Sequence, residues 1–278
     1  MTINCGGSSL NLSTPRVMGI LNITPDSFYD GGRYTTEKQW IEQTEKMLSE
    51  GASIIDIGAL STRPGSKEID EKEELERLLP AVKSISRHFP KTILSVDTWR
   101  ANVAEKVVNQ GAHIINDVSG GIFDPQMFAT IAKLNVPYIM MHTNGKPETM
   151  QQDPQYRNLV LDIIDFFSNQ LATLHQMGVD NVILDPGFGF GKTIDHNYQL
   201  LANLSSFQLF ELPILVGVSR KSMVQKLLNI SSREALNATT VLHTIALQNG
   251  ANLLRVHDVK QAMEAIAIVN KMDQILAI

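Results

Sequence analysis

The chain has one cysteine, Cys5, among its 278 residues. No intrachain disulfide can form, which suits a reducing compartment and leads us to expect a cytoplasmic protein. It lacks a basic excess: 24 Lys and Arg stand against 29 Asp and Glu, for a net charge of −5. No basic excess is available to neutralise a nucleic-acid backbone, so no nucleic-acid partner is expected. No apolar stretch approaches the roughly 18–20 residues that cross a bilayer, and no membrane partner is expected. The opening MTINCGGSSL lacks the basic start and apolar run of a signal peptide. HExxH and paired-cysteine motifs are missing too, which argues against zinc. Apolar residues at 43% and charged residues at 19% exclude a disordered chain, a collagen or a coiled-coil rod.

What the chain does have is a recurring short apolar run. The runs read VMGILNIT from Val17, SIIDIG from Ser53, TILSVDT from Thr92 and HIINDVS from His113. PYIMMHT from Pro137, NVILDPG from Asn181, PILVGVS from Pro213 and LLRVHD from Leu253 follow. Each is nearly continuous in Val, Ile and Leu, as strands buried on both faces require. Helical periodicity lies between them. Leu75, Leu78, Leu79, Val82 and Ile85 share one face, with Pro80 expected to interrupt and kink that helix, and Val160, Ile163, Ile164, Phe167, Leu171 and Leu174 share another. Eight strands alternating with eight helices point to an α/β chain folded as a single (β/α)₈ barrel domain over residues 1–278. An open doubly wound sheet is the alternative, but ITPDSFYDGG after the first strand is no dinucleotide fingerprint. Residues 1–16 are expected to form a hairpin under the barrel floor.

Every strand carries polar residues at its C-terminal end: Asn22 and Thr24, Asp56, Asp97, Asn116 and Asp117, His142, Asp185, Ser219, then Arg255, His257 and Asp258. In a barrel these ends converge on one mouth, where active sites of this fold sit. Asp56, Asp117 and Asp258 are expected to bond their own loops or cap the next helix. Asp97, Asn116 and Asp185 suit a flat, nitrogen-rich ring, because a carboxylate accepts two parallel hydrogen bonds from an amino group beside a ring N–H. Arg255 and His257 alternate on the last strand and suit an anion together with Arg63 of STRPGS. Asn22 offers a neutral oxygen to Mg²⁺, which binds substrate phosphates as well. In GVSRKSM, Ser219 is read as a helix cap, Ser222 and the first-turn N–H groups as a carboxylate site, and Lys221 as a donor to a ring carbonyl or nitrogen, with a Schiff-base lysine as the rival chemistry. DPGFGFGKT fails as a nucleotide loop, since its first glycine would fall on Pro186. Its glycines are read instead as letting the backbone approach a flat ligand, walled by Phe190.

Taken together, GILNITPDSFYDGG, STRPGS, SVDT, HIINDVSGG, MMH, ILDPGFGFGKT, LVGVSRKSM and RVHDV closely resemble the motifs of bacterial dihydropteroate synthases, in that family's order and over nearly the whole chain. The resemblance implies a (β/α)₈ barrel, a homodimer, and a folate-pathway transferase inhibited by sulfonamides. Such an enzyme joins p-aminobenzoate to 6-hydroxymethyl-7,8-dihydropterin pyrophosphate. It implies a pterin set of Asp97, Asn116, Met140, Asp185, Gly217 and Lys221, and a pyrophosphate and Mg²⁺ set of Asn22, Arg255 and His257. Thr62, Arg63 and Pro64 resemble a loop that covers the site, with Phe190, Lys221 and Ser222 on the p-aminobenzoate side. Asp97, Asp185, Lys221, Arg255 and His257 would carry catalysis by an SN1-like route. Ala59 and Leu60 depart from the Gly and Glu common in that family. A pterin-binding methyltransferase barrel and a catalytically silent pterin-binding homologue are the alternatives.

Overall fold

The computed structural model describes residues 1–23, 36–59, 69–145, 150 and 154–276. Strands β1 (Thr2–Cys5) and β2 (Ser8–Asn11) pair antiparallel as a hairpin. Eight parallel strands follow: β3 (Arg16–Asn22), β4 (Ile54–Gly58), β5 (Ile93–Asp97), β6 (Ile114–Asp117), β7 (Tyr138–Met141), β8 (Val182–Asp185), β9 (Leu215–Val216) and β10 (Leu253–Val256). They bond in the order β8-β7-β6-β5-β4-β3-β10-β9. A bridge from Leu184 to Ile214 joins the two ends and closes the ring. Helices α1 (Thr36–Ser49), α2 (Glu71–His88), α3 (Ala101–Asn109), α4 (Met127–Leu134), α5 (Leu159–Gln176) and α6 (Ile194–Ala202) cross between strands, and α9 (Val259–Leu276) ends the circuit. The expected (β/α)₈ barrel with an N-terminal hairpin is therefore what the chain forms.

Two expectations about helices need correcting. Strand β9 is followed by two helices, α7 (Ser222–Leu228) and α8 (Leu236–Gln248), so the pairing is not one to one. Pro80 does not interrupt α2, which runs from Glu71 through it to His88. Its ring lies on the exposed face, while Leu75, Leu78, Val82 and Ile85 hold both halves of the helix against the barrel.

Side chains alternate along a strand, so residues two apart share a face. That alternation and the clustering of the buried side chains sort the eight strands into tiers. The lowest inward tier is wholly apolar: Met18, Ile54, Ile93, Ile114, Ile139, Ile183, Leu215 and Leu253 pack together. Two residues further along come Ile20, Asp56, Ser95, Asn116, Met141, Asp185, Gly217 and Arg255. Higher again are Asn22, Gly58, Asp97, Ser219 and His257. The intervening residues, such as Val17, Ile55, Leu94, Ile115, Tyr138, Leu184 and Val256, face outward into the core shared with the helices.

The hairpin seals the lowest tier. Ile3, Cys5, Leu10 and Leu12 join the same apolar cluster as the barrel's lowest layer. Asn181 ties it down by donating to the Asn4 carbonyl at 2.8 Å, and Asn252 donates to the Leu12 carbonyl at 3.1 Å. Cys5 is fully buried there, and burial pushes its thiol up to about 11. Because the thiolate is the reactive form, a thiol-specific dye at pH 8 should leave the native protein unlabelled over minutes and label it fully in denaturant. Rapid labelling of the native protein would show that the hairpin is not seated.

Candidate active site

The middle tier is where the barrel turns from apolar to charged. Arg255, on β10, reaches across the interior to Asp56 on β4, with Nε at 2.7 Å and Nη2 at 2.6 Å from Oδ2. The same Nη2 lies 3.3 Å from Asp97 Oδ2 on β5. Asp56 also accepts from Ser95 Oγ at 2.6 Å and from Asn116 Nδ2 at 3.2 Å. Four strands thus meet on one fully buried carboxylate. Burial opposes charge on Arg255, yet Asp56 and Asp97 outweigh it and hold the guanidinium above its ordinary value. Burial also lifts the Asp97 carboxyl to about 7, against the pull of Arg255. Asp97 Oδ1 is buried with no hydrogen-bond partner among the described residues. An unmet buried acceptor is costly, on the order of 1–3 kcal/mol, and this one belongs to the residue that ends β5.

The opposite wall is built from β8, β9 and the loop after β8. Asp185 Oδ1 accepts the Gly187 N–H at 2.8 Å. Burial raises its carboxyl, and Lys221, the Gly187 N–H, Arg255 and Lys192 pull it back down. Lys221 donates to the Phe188 carbonyl, and its Nζ sits 4.6 Å from the Phe190 ring centroid. Burial drives its ammonium down to about 8, with Asp185 as the main counterweight. Gly217 lies between the two cations: a Cβ there would meet Arg255 Cβ and Lys221 Nζ, each at 4.0 Å. The wall therefore offers a carboxylate, an amine and an aromatic face around an open glycine.

At the rim, Asn22 Oδ1 lies over Gly58 beside Asp97: a Cβ on Gly58 would stand 3.5 Å from that oxygen and 3.8 Å from Asp97 Cβ. His257 is exposed, and its Nδ1 is 3.0 Å from Ser219 Oγ, which also accepts the His257 N–H at 3.2 Å. Ser219 therefore fastens His257 and does not cap α7, whose N-cap position belongs to Lys221. Ser222, the first residue of α7, is exposed at the same rim. Between them Arg220 adopts a left-handed backbone at φ 53°. Its side chain makes a two-pronged ion pair with Asp258 at 2.8 and 2.9 Å and donates to the Ser232 and Arg233 carbonyls at 2.6 and 3.0 Å. That clamp ties the β9 and β10 ends together and aims Lys221 inward.

The structure gathers Asn22, Asp97, Asn116, Asp185, Gly217, Lys221, Arg255 and His257 at one end of the barrel, with Phe190 and Ser222 beside them. Thr24, Leu60, Thr62, Arg63 and Pro64, and with them most of the expected covering loop, lie outside the described residues. Met140 is misplaced as a pocket residue. It faces outward into the barrel–helix core, and its neighbour Met141 faces inward, clustered with Trp99 and Val118 and close to Phe190. Asp56 is no loop-bonding residue but the centre of the ion pair. Asp117 does bond its own loop, accepting from the Ser119 and Gly121 N–H groups and the Tyr138 hydroxyl.

The glycines after Asp185 serve the protein's own packing. Gly187, at φ 76°, passes so near the His142 carbonyl that a Cβ would come within 1.9 Å of its oxygen. Sequence reasoning also missed Lys192 and its contact with His142, both buried. A usable signal was present for Asp56 and Met141. On every strand but β3, where Met18 stands before Ile20, the lowest tier places Ile or Leu two residues before the middle-tier residue, as in Ile54-x-Asp56, Ile93-x-Ser95, Ile114-x-Asn116, Ile139-x-Met141, Ile183-x-Asp185 and Leu253-x-Arg255.

Such a mouth can hold a polar heterocycle between acidic and amide edges, with cations behind it to receive an anion. Comparison with known proteins agrees with that chemistry. The model of the family described as pterin binding enzyme matches residues 18–257. Dihydropteroate synthase of Escherichia coli is 43% identical over 271 residues, 97% of this chain and 95% of that one. The solved dihydropteroate synthase of Yersinia pestis with a sulfonamide drug complex superposes with a TM-score of 0.92 at 44% identity, covering 99% of this chain and 100% of that one. That of Xanthomonas albilineans with 4-aminobenzoic acid gives 0.91 at 36% identity, covering 98% of each. On its fold, its motifs and these likenesses, the chain belongs to the dihydropteroate synthase family of pterin-binding enzymes.

Proposed function

We propose that this enzyme condenses 6-hydroxymethyl-7,8-dihydropterin pyrophosphate with p-aminobenzoate to give 7,8-dihydropteroate and pyrophosphate. The observation that carries the reading is the buried acceptor array: Asp97 Oδ1 without a partner among the described residues, Asn116 beside it and Asp185 across from it. An aminopyrimidinone edge supplies the N–H donors such an array needs, and a ring without them would leave buried acceptors unmet. Lys221 serves the ring's remaining acceptor, and Gly217 gives the flat ring room.

The C–O bond to pyrophosphate breaks first, and the electron pair leaves with the diphosphate. Asp97 and Asp185 offset the resulting pterin cation. The aniline nitrogen of p-aminobenzoate then attacks, and it sheds its proton without a strong base because attack makes it acidic. Phe190 walls the aniline and Ser222 takes its carboxylate at the rim. His257, fastened by Ser219, faces the departing diphosphate, and Arg255 contributes positive field from below. Asn22 fits Mg²⁺, because one neutral oxygen at the rim suits an ion that keeps several waters and takes other ligands from the diphosphate. Bound there, Mg²⁺ would offset the charge of the leaving group.

Two further elements belong to the proposal. The enzyme works in the cytoplasm, which its single, unpaired and buried thiol suits. It is also a homodimer. Helices α8 and α9 pack against each other and leave Val241, Ile245, Ile268, Met272 and Ile275 exposed, apolar surface of the kind that a second copy would cover. Sedimentation equilibrium at micromolar concentration should give twice the chain mass.

A pyrophosphate-release assay tests the reaction. Release should require both substrates and Mg²⁺, and its absence with both present would reject the reading. Asp185→Asn should weaken pterin binding by at least about 1.5 kcal/mol in a calorimetric titration, the scale of a charged hydrogen bond. Arg255→Ala is a poor probe of pyrophosphate binding, since it also strands Asp56 and Asp97 in the barrel. Pterin affinity should rise with pH through about 7, where Asp97 in the free enzyme gains the ionised form that accepts the ring N–H groups. Equal affinities at pH 6 and pH 8 would remove Asp97 from the binding set.

A further inference from the structure

The mechanism above makes no use of Lys192, although it is one of the most deeply buried cations in the molecule. It is 3% exposed. Its Nζ donates to the Phe190 carbonyl at 3.1 Å and stands 3.0 Å from His142 Nδ1 and 3.5 Å from the His142 carbonyl. None of the ion pairs found among the described residues includes it. A long, strongly hydrated side chain has been drawn inside to bond a backbone carbonyl and a ring, at a considerable desolvation cost. Burial lowers its ammonium to about 7, and Lys192 in turn adds to the burial that holds His142 well below its ordinary value.

The segment it fastens explains the arrangement. Residues 186–192 cross the His142 carbonyl so closely that Gly187 leaves no room for a Cβ. From that segment the Gly187 N–H orients Asp185, the Phe188 carbonyl receives Lys221, and the Phe190 ring stacks under the same amine. Three groups of the mouth thus take their positions from one short loop. Asn197 and Tyr156 hold it from outside, through Gly189 and Gly191 at 2.6 and 2.8 Å. On the inside, Lys192 ties it to β7 by way of His142.

We propose that Lys192, clasped to His142 and to the Phe190 carbonyl, is a positioning residue that sets Asp185, Lys221 and Phe190 for both substrates at once. The inference rests on the reading of the mouth given above.

The experiment compares wild type with Lys192→Met, which keeps an unbranched apolar stem and removes the amine. The variant should raise the pterin Kd and the KM for p-aminobenzoate at least tenfold each, without a matching loss of thermal stability. Constants within twofold of wild type would overturn the proposal. A His142→Phe variant supplies an independent route, should Lys192→Met fail to fold. It should shift both constants at least threefold, and unchanged values would likewise overturn the clasp. In the double variant the losses should not add, because both substitutions break one connection; additive losses count against it.

A pH series tests whether the amine is buried in the folded protein. The unfolded chain holds the Lys192 proton up to its ordinary range near 10.5, and the folded one releases it near 7. Wild type should therefore gain stability relative to Lys192→Met as pH rises from 7 to 10, while the kinetic defect persists across that range. A missing slope means that the amine is not buried, and the clasp fails with it. Wild-type enzyme that releases no pyrophosphate sinks the functional reading instead, whereas active wild type beside an unaffected variant sinks only the clasp.

Discussion

The molecule is organised around one electrostatic arrangement, the Arg255 guanidinium held between the Asp56 and Asp97 carboxylates inside a barrel. Ions removed from water need close partners and further hydrogen bonds. Ser95 and Asn116 supply these on Asp56, whereas Asp97 keeps one oxygen unpaired among the described residues. The network is nearly satisfied, and its remaining deficit sits on Asp97, at the C-terminal end of β5. The site's appetite for N–H donors follows from that deficit. The same arrangement lines the pterin pocket with carboxylates and sets beneath them a guanidinium that offsets part of their charge.

Such a charged tier is tolerable only because the tier below is dry. Eight apolar side chains and the hairpin close the barrel beneath the ion pair. The outward faces of the same strands are equally apolar, because helices cover them. This explains both the success and the failure of reading the sequence. The eight strands and the barrel were legible, because runs such as ILSVD and VILD are buried on both sides and their ends carry the polar residues. The tiers were not, because an apolar outer face masks the period of two. Asp56 therefore reads as bonding its own loop, and nothing in the run MMH contradicts Met140, which the family resemblance places in the pocket.

Other features were hidden for different reasons. The approach of Gly187 to the His142 carbonyl joins residues 45 apart in the chain, and no local pattern signals it. Ser219 stands before a helix and so reads as a cap, yet its partner lies just past the end of the neighbouring strand. Pro80 reads as a helix breaker, but the apolar face on both sides of it prevails. The match to the family's motifs supplied residues that physics alone left ambiguous, Lys221 above all. It conveyed less about Lys192 or Arg220, which sit within the motifs but act on the protein itself.

Arg220 shows how such a residue constrains what can replace it. A left-handed backbone ordinarily invites glycine, which would relax the turn without steric penalty. Here that exchange would cut the tether to Asp258 and to the Ser232 and Arg233 carbonyls. Local comfort and long-range order thus pull in opposite directions at a single position. A mutational scan scoring only backbone ease would pick the wrong residue there, and drift toward glycine would loosen two adjacent strand ends, and with them the aim of Lys221, without changing the identity of any ligand-touching residue.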